Sequence, residues 1–128
     1  MKRLLFVCIE NSNRSQMAQA FAKMHGGAAV ESFSAGSRPS GKINPKAVEA
    51  MRLLHYDLTT HDSKSLDDVP QTEPFDYVVT MGCGDECPFV PAKKRLDWQI
   101  PDPRNMDMPQ FLEVRDLIEK QVLDLLKN

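Results

Sequence analysis

The sequence predicts an α/β fold: one doubly wound domain with a four-stranded parallel sheet flanked by helices. Three observations carry that expectation. Short apolar runs such as Leu4-Leu5-Phe6-Val7 and Tyr77-Val78-Val79 show no polar alternation, as strands covered on both faces do. Between such runs lie segments whose apolar residues recur at helical spacing, and strand–helix alternation specifies a parallel sheet. The chain of 128 residues fits one hydrophobic core and contains no repeat, low-complexity tract or linker, so residues 1–128 read as a single domain.

Residues 3–7 are the first expected strand. From Ser15 to about His25, Met17, Ala18, Phe21 and Met24 share one helical face, and Gly26-Gly27 ends the helix. A second strand is expected over 29–33, closed by Ser34-Ala35-Gly36, and residues 37–43 read as a polar surface loop. Asn44-Pro45 is a helix start, with Asn as cap and Pro at the first helical position, and Ala47, Val48, Met51 and Leu54 form its apolar stripe. A loop with one short helix near Leu66-Asp67-Asp68 follows, over 56–73.

The third strand is expected over 76–81, with a glycine-bearing loop over 82–88. A fourth is expected over 95–100, carrying the lone Trp98, and Pro101-Asp102-Pro103 makes a fixed turn after it. Lys93-Lys94-Arg95 reads as a solvated basic turn, the alternative being a patch for an acidic partner. The last helix, about 108–127, has Phe111, Val114, Ile118, Val122 and Leu125 at spacings of three and four.

Composition narrows the function. A formal net charge of -2 argues against nucleic acid as the main partner. No apolar run approaches the ~18 residues of a membrane span, and Met1-Lys2-Arg3 lacks the pattern of a signal peptide. A cytoplasmic protein is expected, and a monomer. Three cysteines in a reducing compartment point to reactive thiols more than to a structural disulfide framework.

Chemistry concentrates in Cys8-Ile9-Glu10-Asn11-Ser12-Asn13-Arg14-Ser15, where a strand delivers a cysteine, an arginine follows six residues later and a serine opens a helix. Backbone N–H groups of such a turn and the helix dipole favour an anion. Arg14 adds a fork of donors suited to a tetrahedral oxyanion. The same field favours a thiolate, so Cys8 becomes a candidate nucleophile, with Asn11 and Ser12 as loop stabilisers and Ser15 as a donor to the sulfur. The plainer reading is a small core cysteine; strand, polar turn, arginine and helix in succession weigh against it. Asp102, beyond the fourth strand, is a candidate general acid, or simply a turn residue between prolines. Ligands of doubly wound sheets sit at the carboxyl ends of the strands, and Cys8, Cys83 and Asp102 all fall there.

Cys83 and Cys87 are the second signal. Their C-x3-C spacing is not that of common zinc sites, and His25, His55 and His61 are scattered, each read as a surface or capping residue, so no metal is expected. Two thiols on a glycine-bearing loop are either a pair able to form a disulfide by exchange or two unremarkable loop cysteines.

The segment from Val7 to Ala18 resembles the oxyanion loop of the thioredoxin-coupled arsenate reductases, which share the fold of the low-molecular-weight protein tyrosine phosphatases. Ser34-Ala35-Gly36, Asn44-Pro45-Lys46-Ala47, Val79-Thr80-Met81-Gly82-Cys83, Cys87-Pro88 and Trp98 followed by Asp102-Pro103 are similar to that family in the same order. Ser15-Gln16-Met17-Ala18 with Cys83 and Cys87 points to the reductases. The resemblance implies reduction of arsenate to arsenite, with phosphate as an analogue and no cofactor. Cys8 would attack arsenate, Arg14 would hold it and Asp102 would protonate the departing oxygen. A Cys8–Cys83 disulfide and then a Cys83–Cys87 disulfide would follow, reset by thioredoxin; the Cys83–Cys87 interval, shorter than in some members, leaves glutaredoxin with a small thiol as the alternative donor.

Asn13 stands where many of these reductases have another cysteine, leaving one thiol in the loop. Gln19 and Lys64 stand where one branch has acidic residues that help hold a potassium ion. The alternatives are a phosphatase, which needs Cys8, Arg14 and Asp102 but neither Cys83 nor Cys87, and an oxyanion-binding or redox-sensing module without turnover.

Overall fold

The apolar run near the start of the chain forms β1 (Lys2–Cys8), the strand on which the sheet is built. The computed structural model describes residues 2–69, 73–82 and 90–127. β1 lies parallel to β2 (Val30–Gly36) on one side and to β3 (Phe75–Met81) on the other, and β3 pairs in parallel with β4 (Ala92–Trp98). The order β2-β1-β3-β4 means that the chain steps outward from β1, then crosses back to its other side. This is the doubly wound arrangement, and its switch point lies between the carboxyl ends of β1 and β3.

Side-chain alternation divides the core in two. Leu4, Phe6 and Cys8 of β1, with Val79 and Met81 of β3, meet the buried faces of α1 (Arg14–Gly26), α2 (Pro45–Arg52) and α3 (Met108–Leu126). Leu5 and Val7 face the other way with Val78, Ala35 and Phe75, and are covered by Val69 and Val90. The absence of alternation in the sequence of β1 follows, because both of its faces are dry.

The helix boundaries have local causes. Asn44 Oδ1 accepts from the Lys46 amide at 2.9 Å with Pro45 next to it, as capping chemistry requires. At α3 the Asp107 carboxylate accepts from the Gln110 amide at 3.1 Å, and the five expected apolar residues are all buried. In α2 the buried set is Ala47, Ala50 and Met51, with Val48 and Leu54 only partly covered. Ala50 escaped the periodicity argument because alanine is weakly informative. Met24 is exposed, since α1 leaves the core after Ala22.

Two strand boundaries move. Ser34-Ala35-Gly36 belongs to β2 itself, with Gly36 in register with Cys8 and its amide bonded to the Lys64 carbonyl at 2.9 Å. A Cβ at Gly36 would sit 2.5 Å from the Ile9 carbonyl oxygen, which explains the small residue. β4 spans 92–98 instead of 95–100, so Lys93-Lys94-Arg95 is a strand and not a turn. It is an edge strand, where lysines guard against pairing with other chains, and Lys93 reaches Asp76 at 3.2 Å. The short helix at Leu66–Asp68 is present, and a second 3-10 turn at Leu58–Thr60 is capped by Asp57.

Candidate active site

Polar residues 11–16 form one of the best-buried stretches of the chain: Asn11, Ser15 and Gln16 are wholly inaccessible, and Ser12, Asn13 and Arg14 nearly so. Burial of that many polar groups is costly unless most of them are hydrogen-bonded. The backbone shows how. The carbonyls of Cys8, Ile9, Glu10 and Ser12 accept from the amides of Ser37, Arg38, Ser40 and Asn44 at 2.8–3.2 Å, and that of Asn11 accepts from Gln16 Nε2 at 3.0 Å. A trans peptide points its N–H opposite to its C=O. With these carbonyls bonded to other segments, the amides of residues 9–13 are turned to the opposite side, the arrangement of a nest of N–H groups. The 37–43 loop lies on the surface as expected, and together with Asn44 it also braces the outside of the nest.

Asn11 makes the turn possible. Its φ of 53° is left-handed, a region that Asn visits more readily than most residues. Its Oδ1 accepts from the Lys64 amide at 2.9 Å and from Gln16 Nε2 at 2.8 Å, and its Nδ2 donates to Ser15 Oγ at 2.8 Å. Ser15 Oγ in turn lies 2.9 Å from Cys8 Sγ. Because Asn11 Nδ2 can only donate, the Ser15 hydroxyl proton is free to point at the sulfur. α1 starts at Arg14 without a side-chain cap from Asn13, so its first-turn amides are not consumed by a cap. The Asn13 Oδ1 atom is buried without a hydrogen-bond partner among the described residues.

Behind this loop runs a support that sequence reasoning missed. Gln16 Nε2 is committed to Asn11 and to the Asp62 carbonyl at 2.8 Å, so its Oε1 accepts from His61 Nδ1 at 2.9 Å. The other ring nitrogen, Nε2, then accepts from the Tyr56 hydroxyl at 2.6 Å. His61 is therefore a buried, neutral link, not the surface residue expected. Burial pushes its pKa from 6.5 down to about 4, and the charges of Lys23 and Lys64 act in the same direction, against Asp62.

Arg14 and Asp102 converge on the pocket from different elements. The Arg14 guanidinium donates to the Ile100 carbonyl at 3.1 Å and lies 3.8 Å from an Asp102 carboxylate oxygen. Gly82, after β3, has a φ of 79°, and a Cβ there would stand 2.1 Å from Arg14 Nη1. Cys8, Ile9, Glu10, Ser12, Asn13, Arg14, Asp102 and Arg104 line a depression of about 60 Å³, a size for a small ion. Arg104 was not anticipated; it donates to Glu10 Oε1 at 2.9 Å, and its backbone amide donates to Asp102 Oδ1 at 3.0 Å. Cys83 and Cys87 lie outside the described residues.

The potassium site of one reductase branch does not fit this chain. Gln19 is neutral, and its Oε1 is taken by the Ser34 hydroxyl at 2.6 Å. Lys64 brings a cation of its own, donating to the Asp62 carbonyl at 2.9 Å. Among the described residues no group of three His, Cys, Asp or Glu side chains is placed to hold a metal, and no helix is long and apolar enough to cross a membrane.

A cysteine and an arginine at the two ends of a nest of amides, at the switch point of a parallel sheet, define a class. Residues 3–128 match the low molecular weight phosphotyrosine protein phosphatases, and the chain belongs to that family. Its relatives include arsenate reductases: it is 38% identical over 125 residues to arsenate reductase 1 of Staphylococcus haemolyticus, covering 94% of this chain and 92% of that protein. A solved arsenate reductase in the phosphate-binding state superposes with a TM-score of 0.88 at 30% identity, over 99% of this chain and 98% of that one. A thioredoxin-dependent arsenate reductase of Corynebacterium glutamicum superposes with a TM-score of 0.82 at 32% identity, over 99% of this chain and 61% of that one.

Proposed function

We propose that this protein is a cytoplasmic arsenate reductase that passes oxidation from arsenate to its own cysteines. The observation that carries the reading is the approach of Gly82 to Arg14: the chain leaves β3 against the anion-binding arginine, and the next residue in the sequence is Cys83. A phosphatase needs no thiol there.

Arsenate binds in the nest of amides from residues 9–13, with Arg14 clamping its equatorial oxygens. The Cys8 thiolate, supported by the Ser15 hydroxyl, attacks arsenic in line. Asp102 gives its proton to the departing oxygen, which leaves as water. The product is a thiol–arsenate adduct on Cys8. Cys83 then attacks the Cys8 sulfur; the As–S electron pair passes to arsenic, which leaves as arsenite, and a Cys8–Cys83 disulfide remains. Cys87 attacks that disulfide at Cys83, freeing Cys8 and leaving a Cys83–Cys87 disulfide. Thioredoxin reduces it, or glutaredoxin with a small thiol. Two thiols are oxidised for each arsenic reduced from the pentavalent to the trivalent state.

The test is arsenate turnover coupled to NADPH oxidation through thioredoxin and its reductase, run beside glutaredoxin with glutathione. The intact protein should turn over repeatedly with one of these systems. Cys83→Ser and Cys87→Ser should lose arsenate turnover while retaining any hydrolysis of p-nitrophenyl phosphate. Arsenate left unreduced by the intact protein would sink the reading.

A further inference from the structure

We infer that Arg104 and Glu10 form a filter across the mouth of the oxyanion pocket, which admits inorganic oxyanions and disfavours monoesters of the same anion. The inference rests on the oxyanion-site reading above and adds a specificity determinant to it. The pocket has a buried floor, made by Cys8, Ser12, Asn13 and Arg14, and a rim where half-buried Glu10 and exposed Asp102 and Arg104 stand. On that rim Arg104 Nη1 donates to Glu10 Oε1 at 2.9 Å, while Arg104 Nη2 lies 4.0 Å from Asp102 Oδ2. One guanidinium therefore ties the oxyanion loop to the loop that follows β4.

In-line attack decides what this tie does. The leaving oxygen stands opposite the Cys8 sulfur, so it points out of the floor towards the rim. On inorganic arsenate or phosphate that oxygen carries at most a proton. On a monoester it carries carbon, and the substituent must pass where the Arg104–Glu10 pair now stands. The pair also balances charge, because Glu10 alone would place a carboxylate beside an incoming dianion. An exposed ion pair of this kind adds little to folding stability, so its removal should leave the fold intact.

The experiment measures protection of Cys8 from iodoacetamide by inorganic phosphate and by phenyl phosphate, which reads binding without turnover. For Arg104→Ala together with Glu10→Gln, the ratio of the phenyl phosphate Kd to the phosphate Kd should fall at least tenfold below that of the unaltered protein. For Arg104→Ala alone, phosphate should bind several-fold more weakly, because Glu10 is left unbalanced. An unchanged ratio in the double variant, or unchanged phosphate binding in the single one, overturns the filter. If the unaltered protein reduces no arsenate but the double variant shows the ratio change, the reductase reading fails while the filter stands. If phosphate does not protect Cys8 in the unaltered protein, the oxyanion site and the filter fall together.

Discussion

Replacing Gly82 by alanine tests the grip of the pocket on its anion by displacing Arg14 without replacing it. The new methyl group would stand 2.1 Å from Arg14 Nη1 and 3.0 Å from its Cζ, so something must move. The guanidinium ends a flexible side chain, and shifting it is easier than shifting β3. Its bond to the Ile100 carbonyl at 3.1 Å would break, and it would leave the place it holds beside Asp102. Two costs follow. Alanine at a φ of 79° lowers stability by about 1–2 kcal/mol. Losing a charge-assisted hydrogen bond to the bound anion costs a further ~1.5–3 kcal/mol of binding, which is roughly 10- to 150-fold in phosphate affinity. Thermal unfolding reads the first and calorimetric phosphate titration the second. Phosphate affinity within about twofold of the unaltered protein, with the stability loss present, would refute the placement of Arg14 as the anion's clamp.

Asn11→Ala removes three side-chain hydrogen bonds and keeps a left-handed backbone; it should cost about 2–4 kcal/mol by urea unfolding, and Asn11→Gly less, because glycine tolerates the φ. A loss equal in the two variants would argue against backbone strain at this position. His61 predicts a pH dependence. Its pKa is about 4 when folded and near 6.5 when unfolded, so the unfolded chain binds the proton first. Its contribution to stability is complete above pH ~6.5 and is lost as pH falls towards ~4; His61→Gln should flatten that part of the unfolding profile. Asp102→Asn should slow single-turnover formation of the arsenate adduct by ~10²–10⁴, since no proton is supplied to the leaving oxygen. Phosphate should bind that variant at least as tightly, because a carboxylate near the anion has been neutralised, and a normal adduct rate would remove Asp102 from the mechanism.

Much of the fold was readable because its signals are local. The dry run of β1, the Asn44-Pro45 start of α2 and the stripe of α3 need no long-range information. β4 was misplaced because an edge strand is half polar, so lysines that guard an edge look like a turn. The Cys8–Arg14 loop was legible from its strand–turn–helix context. Its supports were not: the outward carbonyls bonded to residues 37–44, and the line from Tyr56 through His61 and Gln16 to Asn11, join segments that only the folded chain brings together. His61 looked like surface because nothing beside it in the chain reveals that Gln16 waits across the loop. Arg104 was passed over for a similar reason, since its partner Glu10 lies 94 residues away.

The central claim is that arsenate oxidises Cys8 and Cys83 together, and trapping that disulfide tests it most directly. In the Cys87→Ser protein the relay stops after its first disulfide. One equivalent of arsenate, followed by acid quench, thiol alkylation and peptide mass spectrometry, should reveal a Cys8–Cys83 cross-linked peptide formed together with one equivalent of arsenite. Arsenite formed while both thiols remain alkylatable, or no arsenite at all, would contradict it.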